Sequence, residues 1–247
     1  MDSIAVTAAA GLRSRMEALD LLSNNLANTS TSGYKADREF YSLFQGEEAS
    51  LSSGELGPAT LPHVKKQWVD FKQGTLQPTG NPLDLALTQK GFFAVNGPNG
   101  PLYTRNGAFT TSSTGVLVTT EGHTVRGSEG RPIQTSPGVP IQVSSDGSVL
   151  QGGETLGQLE IVDFADPLVL SKEGSSYFRP CDPKISPTPV SDPAVQQGQI
   201  EASNVSPAES AVRLVELLRQ YEMLQKAISV TADMNKRATD DVARVGS

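Results

Sequence analysis

The pattern of hydrophobic positions is most regular at the two ends of the chain. After Pro207, apolar residues recur in steps of three and four, and no proline or glycine interrupts them before Gly246. This alternation predicts one long amphipathic helix with a heptad seam. Ser206-Pro207-Ala208-Glu209 has the form of a capping box at its start. The predicted seam includes Leu214, Leu217, Tyr221, Leu224 and Ile228.

The first 28 residues show the same alternation and predict a second helix. Its seam comprises Ala5, Ala9, Leu12, Met16, Leu19, Ser23 and Leu26, with Leu22 widening the stripe. Packing of both helices on the body of a monomer is the simpler interpretation. However, the C-terminal helix would be about 60 Å long, and a domain of this size leaves much of such a seam in water. We therefore expect the helices to pair along a rod.

The segment after the first helix is rich in asparagine and ends in a turn. Asn24, Asn25 and Asn28 precede Gly33, which supplies a positive φ where the chain reverses. Asparagine amides can terminate a helix, and they can also bond to backbone across an interface. We place Asn204, just before the C-terminal helix, in the same group of polar contacts.

The middle of the chain carries short β-rich runs separated by turn dipeptides such as Asn96-Gly97, Asn106-Gly107 and Asp146-Gly147. This pattern predicts a mostly antiparallel β domain. The predicted strands are 83–87, 92–95, 102–104, 116–119, 140–143, 159–164 and 168–170.

The expected fold class is α+β, with long N- and C-terminal helices forming a coiled-coil-like region beside the β domain. Composition shifts divide the chain further, because residues 45–62 are rich in Ser, Gly, Glu and Pro and residues 180–197 are rich in proline. The predicted parts are an N-terminal helix and turn (1–35), a mobile linker (36–63), the β domain (64–180), a proline-rich connector (181–197) and the C-terminal helix (198–247).

Composition excludes several classes of function. The net charge of −7 and the dispersed basic residues argue against nucleic acid as a partner. The single cysteine, Cys181, forms no intrachain disulfide. No apolar run approaches 18 residues, so we expect no lipid-embedded segment. The N-terminus does not resemble a cleavable secretory signal, and we expect any export to retain it.

An enzyme is the rival class, but its candidate residues are few. His63 and His123 stand in dissimilar contexts, and Asp84, Asp146 and Asp163 are expected in turns or ion pairs, with Asp84 pairing to Arg105. Six aromatic residues are expected in the β core, namely Trp68, Phe71, Phe92, Phe93, Tyr103 and Phe109. We expect no catalytic residue, cofactor or metal site.

Three stretches together resemble the flagellar basal-body rod and hook proteins. They are Leu22-Ser23-Asn24-Asn25-Leu26-Ala27-Asn28 with Thr31 to Lys35, Gly74 to Ala86 with Gly91-Phe92-Phe93 and Tyr103 to Phe109, and Gly198 to Val205 with Arg219-Gln220-Tyr221-Glu222. In order, they cover most of the chain. Ser32 stands where a proline is common in that family.

The resemblance implies a structural role in the flagellum. The chain is too short for the outer domain of hook subunits, so it looks most like a rod subunit, nearest the proximal-rod type with the distal type second. The implied partners are other rod subunits, neighbouring axial proteins and the type III export apparatus. Such a subunit is exported unfolded without a cleaved signal peptide and polymerises into the torque-transmitting rod that crosses the periplasm. Its terminal helices form the inner D0 tube.

We expect the subunit interface to involve the terminal segments, which order only when neighbouring copies cover them. The alternative is a β-type binding module dimerised by a coiled-coil stalk, and a discrete dimer would favour it. The predicted interface residues are Leu12, Met16, Leu19, Asn24, Asn25, Leu26, Asn28, Gly33, Asn204, Leu214, Leu217, Tyr221, Leu224 and Ile228.

Overall fold

The computed structural model describes residues 3–45 and 60–245. The chain divides into two compact units. Unit 1 comprises residues 1–27, 37–68 and 206–247, and unit 2 comprises residues 28–36 and 69–205. Each unit is therefore assembled from segments that are distant in the sequence.

Unit 1 contains two helices, α1 (Ser3–Ala27) and α2 (Pro207–Val245). At 1.5 Å per residue they are about 37 and 58 Å long. The predicted start of α2 is confirmed, because Pro207 is its first residue and the Ser206 hydroxyl accepts a hydrogen bond from the Glu209 N–H at 3.4 Å. This bond satisfies one of the free N–H groups of the first turn.

A two-stranded sheet of β1 (Asp37–Gln45) and β2 (Thr60–Val69) follows α1 in the sequence. The sequence predicts a linker over residues 36–63, whereas the structure has strands at both ends of that range. The aromatic and branched residues of Phe40-Tyr41-Ser42-Leu43-Phe44 favour a strand locally. The centre of the predicted linker, residues 46–59, lies outside the described residues.

Unit 2 is built from short strands joined by tight turns. In chain order they are β3 (Leu76–Pro78), β4 (Leu85–Leu87), β5 (Phe92–Gly97), β6 (Gly100–Thr104), β7 (Phe109–Thr111), β8 (Leu117–Thr119), β9 (Thr124–Val125), β10 (Ile141–Val143), β11 (Ser148–Gln151), β12 (Glu154–Gln158), β13 (Ile161–Asp163), β14 (Leu170–Glu173), β15 (Tyr177–Pro180), β16 (Thr188–Pro189), β17 (Val195–Gln197) and β18 (Gln199–Glu201).

The main sheet of unit 2 has the order β14-β15-β6-β5-β9-β8-β7, with β13 also pairing to β5. A second sheet has the order β10-β11-β12, and two smaller pairs are β17-β4 and β18-β3. The strand pairings described in these sheets are all antiparallel. The prediction of a mostly antiparallel β domain is confirmed.

The main sheet has an apolar cluster on each face, because successive side chains of a strand point to opposite sides. On β5, Phe93 belongs to one cluster and Phe92 to the other. On β15, Tyr177 and Phe178 divide in the same way. The second cluster contains several edge-to-face aromatic contacts, including Phe92 with Phe178 at 5.7 Å between centroids. The predicted burial of Phe92, Phe93, Tyr103 and Phe109 is confirmed.

The hairpin dipeptides lie where the sequence places them. Gly97 pairs with Gly100 at the end of the β5–β6 hairpin, and the turn at Asp146-Gly147 connects β10 and β11. Two predictions differ from the structure. The run at 168–170 is mostly a 3₁₀ turn, Pro167–Val169, capped by Asp166. The proline-rich connector contains the strands β16 and β17. Pro189 has no N–H to donate, and it fits in β16 because that strand is short.

Candidate assembly surface and buried ionic cluster

Within unit 1, α1 and α2 pack against each other. Ala18, Leu22 and Leu217 are buried together, and Leu19 and Leu214 are half-buried against them. These residues belong to the C-terminal half of α1 and the N-terminal half of α2. Towards the other end, a methyl group added to Gly11 would lie 3.4 Å from Cδ1 of Leu224. The two helices are therefore antiparallel.

The face of α1 that packs on α2 differs from the predicted seam. Small residues, Gly11, Ser14 and Ala18, lie on this face together with Leu22, and the last three of these are buried. Met16 is a predicted subunit-interface residue, and 53% of it is exposed in the single chain. Small side chains permit a closer approach of two helix backbones than a leucine seam does, which explains the shift.

The inner face of α2 follows the three-and-four alternation. Leu217 is buried, and Leu214, Tyr221, Leu224 and Ile228 are half-buried. On α1, Leu12, Leu19 and Leu26 are half-buried.

On the opposite side of α2, exposed apolar residues alternate with charged ones such as Glu216, Arg219 and Lys226. Val212, Met223, Val230 and Met234 are 62%, 63%, 48% and 65% exposed. At about 100° per residue, these four side chains lie within about 40° of one another and about 140° from the inner face. We call them the outer stripe. A solvent-facing helix side usually carries polar residues, so this stripe marks a surface suited to a further contact.

Asn25 connects the end of α1 to the start of β1 within unit 1. Its side-chain amide donates to the Asp37 carbonyl at 2.8 Å and accepts from the Asp37 N–H at 2.9 Å. The side chain is 7% exposed and takes the place of a neighbouring strand for one residue. Asn24, the preceding predicted interface residue, is exposed.

Asn204 has a comparable internal role in unit 2. Its amide oxygen accepts from the Ala36 N–H at 2.8 Å, and its amide nitrogen donates to the carbonyls of Asp70 at 2.7 Å and Lys72 at 3.0 Å. Asn28 accepts from the Thr31 hydroxyl at 3.1 Å. These amides therefore hold segments of unit 2 together.

Gly33 occupies the turn that the sequence predicts. Its φ is +68°, and a Cβ at this position would overlap the backbone of Asn106. Its N–H donates to the Glu201 carbonyl at 2.7 Å. Both the conformation and the close approach require glycine.

Three buried charged residues of unit 2 meet at Glu201, whose own side chain is fully buried. One carboxylate oxygen accepts from Lys35 Nζ and from the Gly74 N–H, the latter at 2.9 Å. The other oxygen accepts from a guanidinium nitrogen of Arg105 at 3.3 Å. We call Lys35, Arg105 and Glu201 the ionic cluster. One carboxylate thus faces two cations.

Electrostatics in the ionic cluster are dominated by removal from water. Burial lowers the pKa of Lys35, while the neighbouring Glu201 carboxylate opposes that change. Burial likewise lowers the pKa of Arg105, again opposed by Glu201. Hydrogen bonds to backbone carbonyls offset part of the free-energy cost of burying the two cations. Lys35 donates to the Lys72 carbonyl at 2.8 Å, and Arg105 donates to the Gln89 carbonyl at 2.8 Å.

Local sequence patterns do not predict the ionic cluster. The predicted pairing of Asp84 with Arg105 is wrong, because Arg105 binds Glu201 and Asp84 accepts from the Asn81 amide at 3.0 Å. Lys35, Arg105 and Glu201 are far apart in the sequence, so no spacing rule connects them. The available signal was a charged residue within each of three family-like stretches.

The candidate enzyme residues have structural contacts. Asp146 accepts from the Ser148 hydroxyl at 2.7 Å in a turn, and Asp163 accepts from the Phe164 N–H at 2.9 Å. The His123 ring packs edge-to-face on Tyr177. The described part of the chain contains no group of three or more His, Cys, Asp or Glu side chains placed to hold a metal ion.

Neither helix in the described part of the chain combines the length and apolar character needed to cross a membrane.

Three family descriptions match the sequence. They are "Flagella basal body rod protein" over residues 6–35, "Flagellar hook protein FlgE/F/G D1 domain" over residues 86–151, and "Flagellar basal body rod FlgEFG protein C-terminal" over residues 196–241.

Individual relatives match over nearly their full length. The flagellar basal-body rod protein FlgF of Caulobacter vibrioides is 32% identical over 228 residues, covering 92% of each chain. The rod protein FlgG of the same organism is 32% identical over 259 residues, covering 96% of this chain and 97% of its own. A FlgG of Buchnera aphidicola is 32% identical over 248 residues, covering 91% and 94%.

Proposed function

This chain belongs to the family of flagellar basal-body rod proteins, and from that premise we propose that it polymerises through its terminal helices into the rod. It is a structural subunit of the flagellar basal body and associates with other rod and basal-body proteins. It is not an enzyme, since the family consists of structural proteins.

The outer stripe of α2 is the observation that carries the proposal. Its four large apolar side chains are between 48% and 65% exposed, although α1 already covers the opposite face of α2. Burying such side chains stabilises a contact by about 1.5–3 kcal/mol each. The occupant that fits is the terminal helix of a neighbouring rod subunit, because an apolar helix face packs well against another helix.

Two different apolar faces on α2 suit a filament. A head-to-tail contact that does not close into a ring needs different surfaces on the two sides of a subunit. The inner face binds α1 of the same chain, and the outer stripe is available to a neighbour. The exposed Met16 of α1 supplies a further contact on the other helix.

The remaining features of the proposal follow from family membership. The polymer crosses the periplasm as the rod and transmits torque, and its helices pair in a coiled-coil-like D0 region. The subunit leaves the cytoplasm through the type III apparatus without a cleaved signal. The predicted interface residues keep that role here. For Asn25, Gly33 and Asn204 the internal bonds support an indirect contribution, through the shape of the segments that they hold. A proximal position is our first choice.

A pair of valine substitutions tests the outer stripe. Val230→Asp places a charge in the stripe, whereas Val139→Asp places one at a comparably exposed valine of unit 2, 41% against 48% exposed. With each variant as the only copy in the cell, we expect Val230→Asp to give no complete rods and no swimming. Val139→Asp should give normal rods. Rods are scored by electron microscopy of isolated basal bodies.

Complete rods from Val230→Asp would overturn the assignment of the outer stripe. A discrete soluble dimer of the wild-type chain, which does not grow with concentration in sedimentation, would instead support a dimerised binding module.

A further inference from the structure

Residues 195–204, the last ten residues before the Val205-Ser206 connection to α2, contact parts of unit 2 from its first residues to residue 145. Val195 is buried in the larger apolar cluster together with Leu85 and Leu87, and its N–H donates to the Ser145 carbonyl at 2.8 Å. This segment also contains two strands. β17 pairs with β4, and β18 pairs with β3.

The centre of the segment satisfies backbone groups on both sides. The Gln197 amide donates to the carbonyls of Pro82 at 2.7 Å and Ile141 at 2.9 Å and accepts from the Val143 N–H at 3.2 Å. This side chain therefore covers the open edge of β10. Gly198, with φ of +78°, bends the chain between β17 and β18 and donates to the Asp84 carbonyl at 2.8 Å.

The end of the segment reaches the N-terminal part of unit 2. Glu201 supplies the carboxylate of the ionic cluster, and Asn204 binds the backbone at Ala36, Asp70 and Lys72. Gly74 approaches so closely that a Cβ there would overlap the Ala202 carbonyl. These contacts join residues at least 96 positions apart in the sequence.

We propose that residues 195–204 form a closing segment, latched by Glu201, and that unit 2 completes its core only when this segment docks. Before docking, Val195 is missing from the core and β4 lacks a strand partner. Lys35 and Arg105 then have no carboxylate between them. Burying two such cations without a counter-charge is strongly unfavourable, so the surrounding strands stay open to water.

The order of folding follows from the length of the loops that must close. Local hairpins such as β5–β6 can pair early but stay open to water until the core closes, whereas the closing segment must find partners across most of unit 2, and such pairings form slowly. The chain therefore has a period in which unit 2 is incomplete. The use of that period for export in an unfolded form rests on the proposed function, but the closing step itself does not.

Glu201→Gln in the full chain tests the latch. The glutamine keeps the size of the side chain and an oxygen for the Gly74 N–H, and it removes the one carboxylate that Lys35 and Arg105 share. Refolding from urea is followed by pulsed hydrogen exchange, read at the amides of β5 and β6. We expect these amides to become protected at least about tenfold more slowly than in the wild type.

Glu160→Gln is the matched control, because it breaks an ion pair with Arg126 at 2.7 Å that involves no residue of the closing segment. It should leave the rate of protection unchanged. If β5 and β6 of Glu201→Gln gain protection at the wild-type rate while residues 195–204 alone lag behind, the segment is a late local addition and the proposal is wrong.

A second variant covers the case in which Glu201→Gln does not fold. Adding Lys35→Met lowers the number of unpaired cations from two to one, and we expect part of the wild-type rate to return. No recovery would show that the charge of the ionic cluster does not control closure. The measurement uses purified subunit, so its outcome is independent of polymerisation and export.

Discussion

The two units of this protein differ in how completely they bury their own apolar residues. In unit 2, Phe93, Val95 and Phe178 are fully buried, and apolar clusters cover both faces of the main sheet. Among the side chains that the structure describes in the two helices, Leu22 and Leu217 are the large apolar ones that are buried. Unit 2 has the apolar core expected of an independent domain, whereas the helices of unit 1 bury one apolar face of α2 and leave other apolar residues exposed.

The difference indicates where we expect neighbouring subunits to contribute. Most helix stability in proteins comes from packing of the apolar face. The contact between α1 and α2 buries few large apolar side chains, so it gives the helices little stability. Among the described residues, helix α2 packs one apolar face on α1 and leaves the apolar residues of the outer stripe exposed. We therefore expect unit 2 to be folded in the free subunit and the helices to become fully stable on assembly.

The largest effect on this comparison should come from Leu224→Asp. The side chain lies on the inner face of α2 near Gly11, and a carboxylate there would be buried between helices without a partner. We expect no incorporation into rods, and urea unfolding of unit 2 that differs from the wild type by less than about 0.5 kcal/mol. Normal rods from this variant would contradict the role of the helix pair.

The next effect is a difference in amide protection within the wild-type chain. In dilute solution, amides of β5 and β6 should exchange at least about a thousandfold more slowly than those of α1 and α2, since the stability of a folded domain corresponds to factors of that size. Hydrogen exchange with mass spectrometry measures both sets together, and far-UV circular dichroism should show helix content rising with polymerisation. Equal protection of helices and sheet in the monomer would remove the distinction between the units.

The sequence predicted the features that depend on local signals. Turn dipeptides such as Asn96-Gly97 located the hairpins, and alternation along α2 identified Leu214, Leu217 and Leu224 as its inner face. The capping box located the first residue of α2. Each of these signals lies within a few residues of the structure that it determines.

The features that the sequence did not predict depend on distant residues or on backbone proximity. The burial of Glu201 follows from Lys35 and Arg105, which come together only in the folded unit. The buried face of α1 depends on the close approach of α2, which small residues allow. The alternation of apolar residues along the sequence predicts a different seam. The short β16 and β17 form because distant strands offer them partners.

A smaller effect concerns the response of unit 2 to alkaline pH. Burial raises the pKa of Tyr177 to about 12, so its folded-state pKa lies above the ordinary value near 10. The protonated phenol therefore contributes stability that is complete below pH 10 and is lost as the pH rises towards 12. Two pKa units correspond to about 2–3 kcal/mol.

Tyr177→Phe should remove that part of the pH dependence. Urea unfolding of unit 2 at pH 8, 9.5 and 11 should show the wild type losing more stability than the variant above pH 10. Burial also raises the pKa of Tyr103, so some loss will persist in the variant. Parallel losses in the two proteins would show that the Tyr177 phenol ionises as easily in the folded state as in the unfolded chain.

The smallest effect compares equivalent caps in the two units. Ser206 caps α2 in unit 1, and Asp166 caps the 3₁₀ turn in unit 2 by accepting from the Leu168 N–H at 2.9 Å. Removing either cap by substitution with alanine costs about 0.5–2 kcal/mol. In unit 2 the turn leads directly into β14, whose Leu170 is buried, so Asp166→Ala should leave the far-UV spectrum of the free subunit unchanged. Helix α2 is expected to be only marginally stable in the free subunit, so Ser206→Ala should measurably lower the helical signal at 222 nm. An unchanged signal for both variants would mean that α2 is already stable in the free subunit.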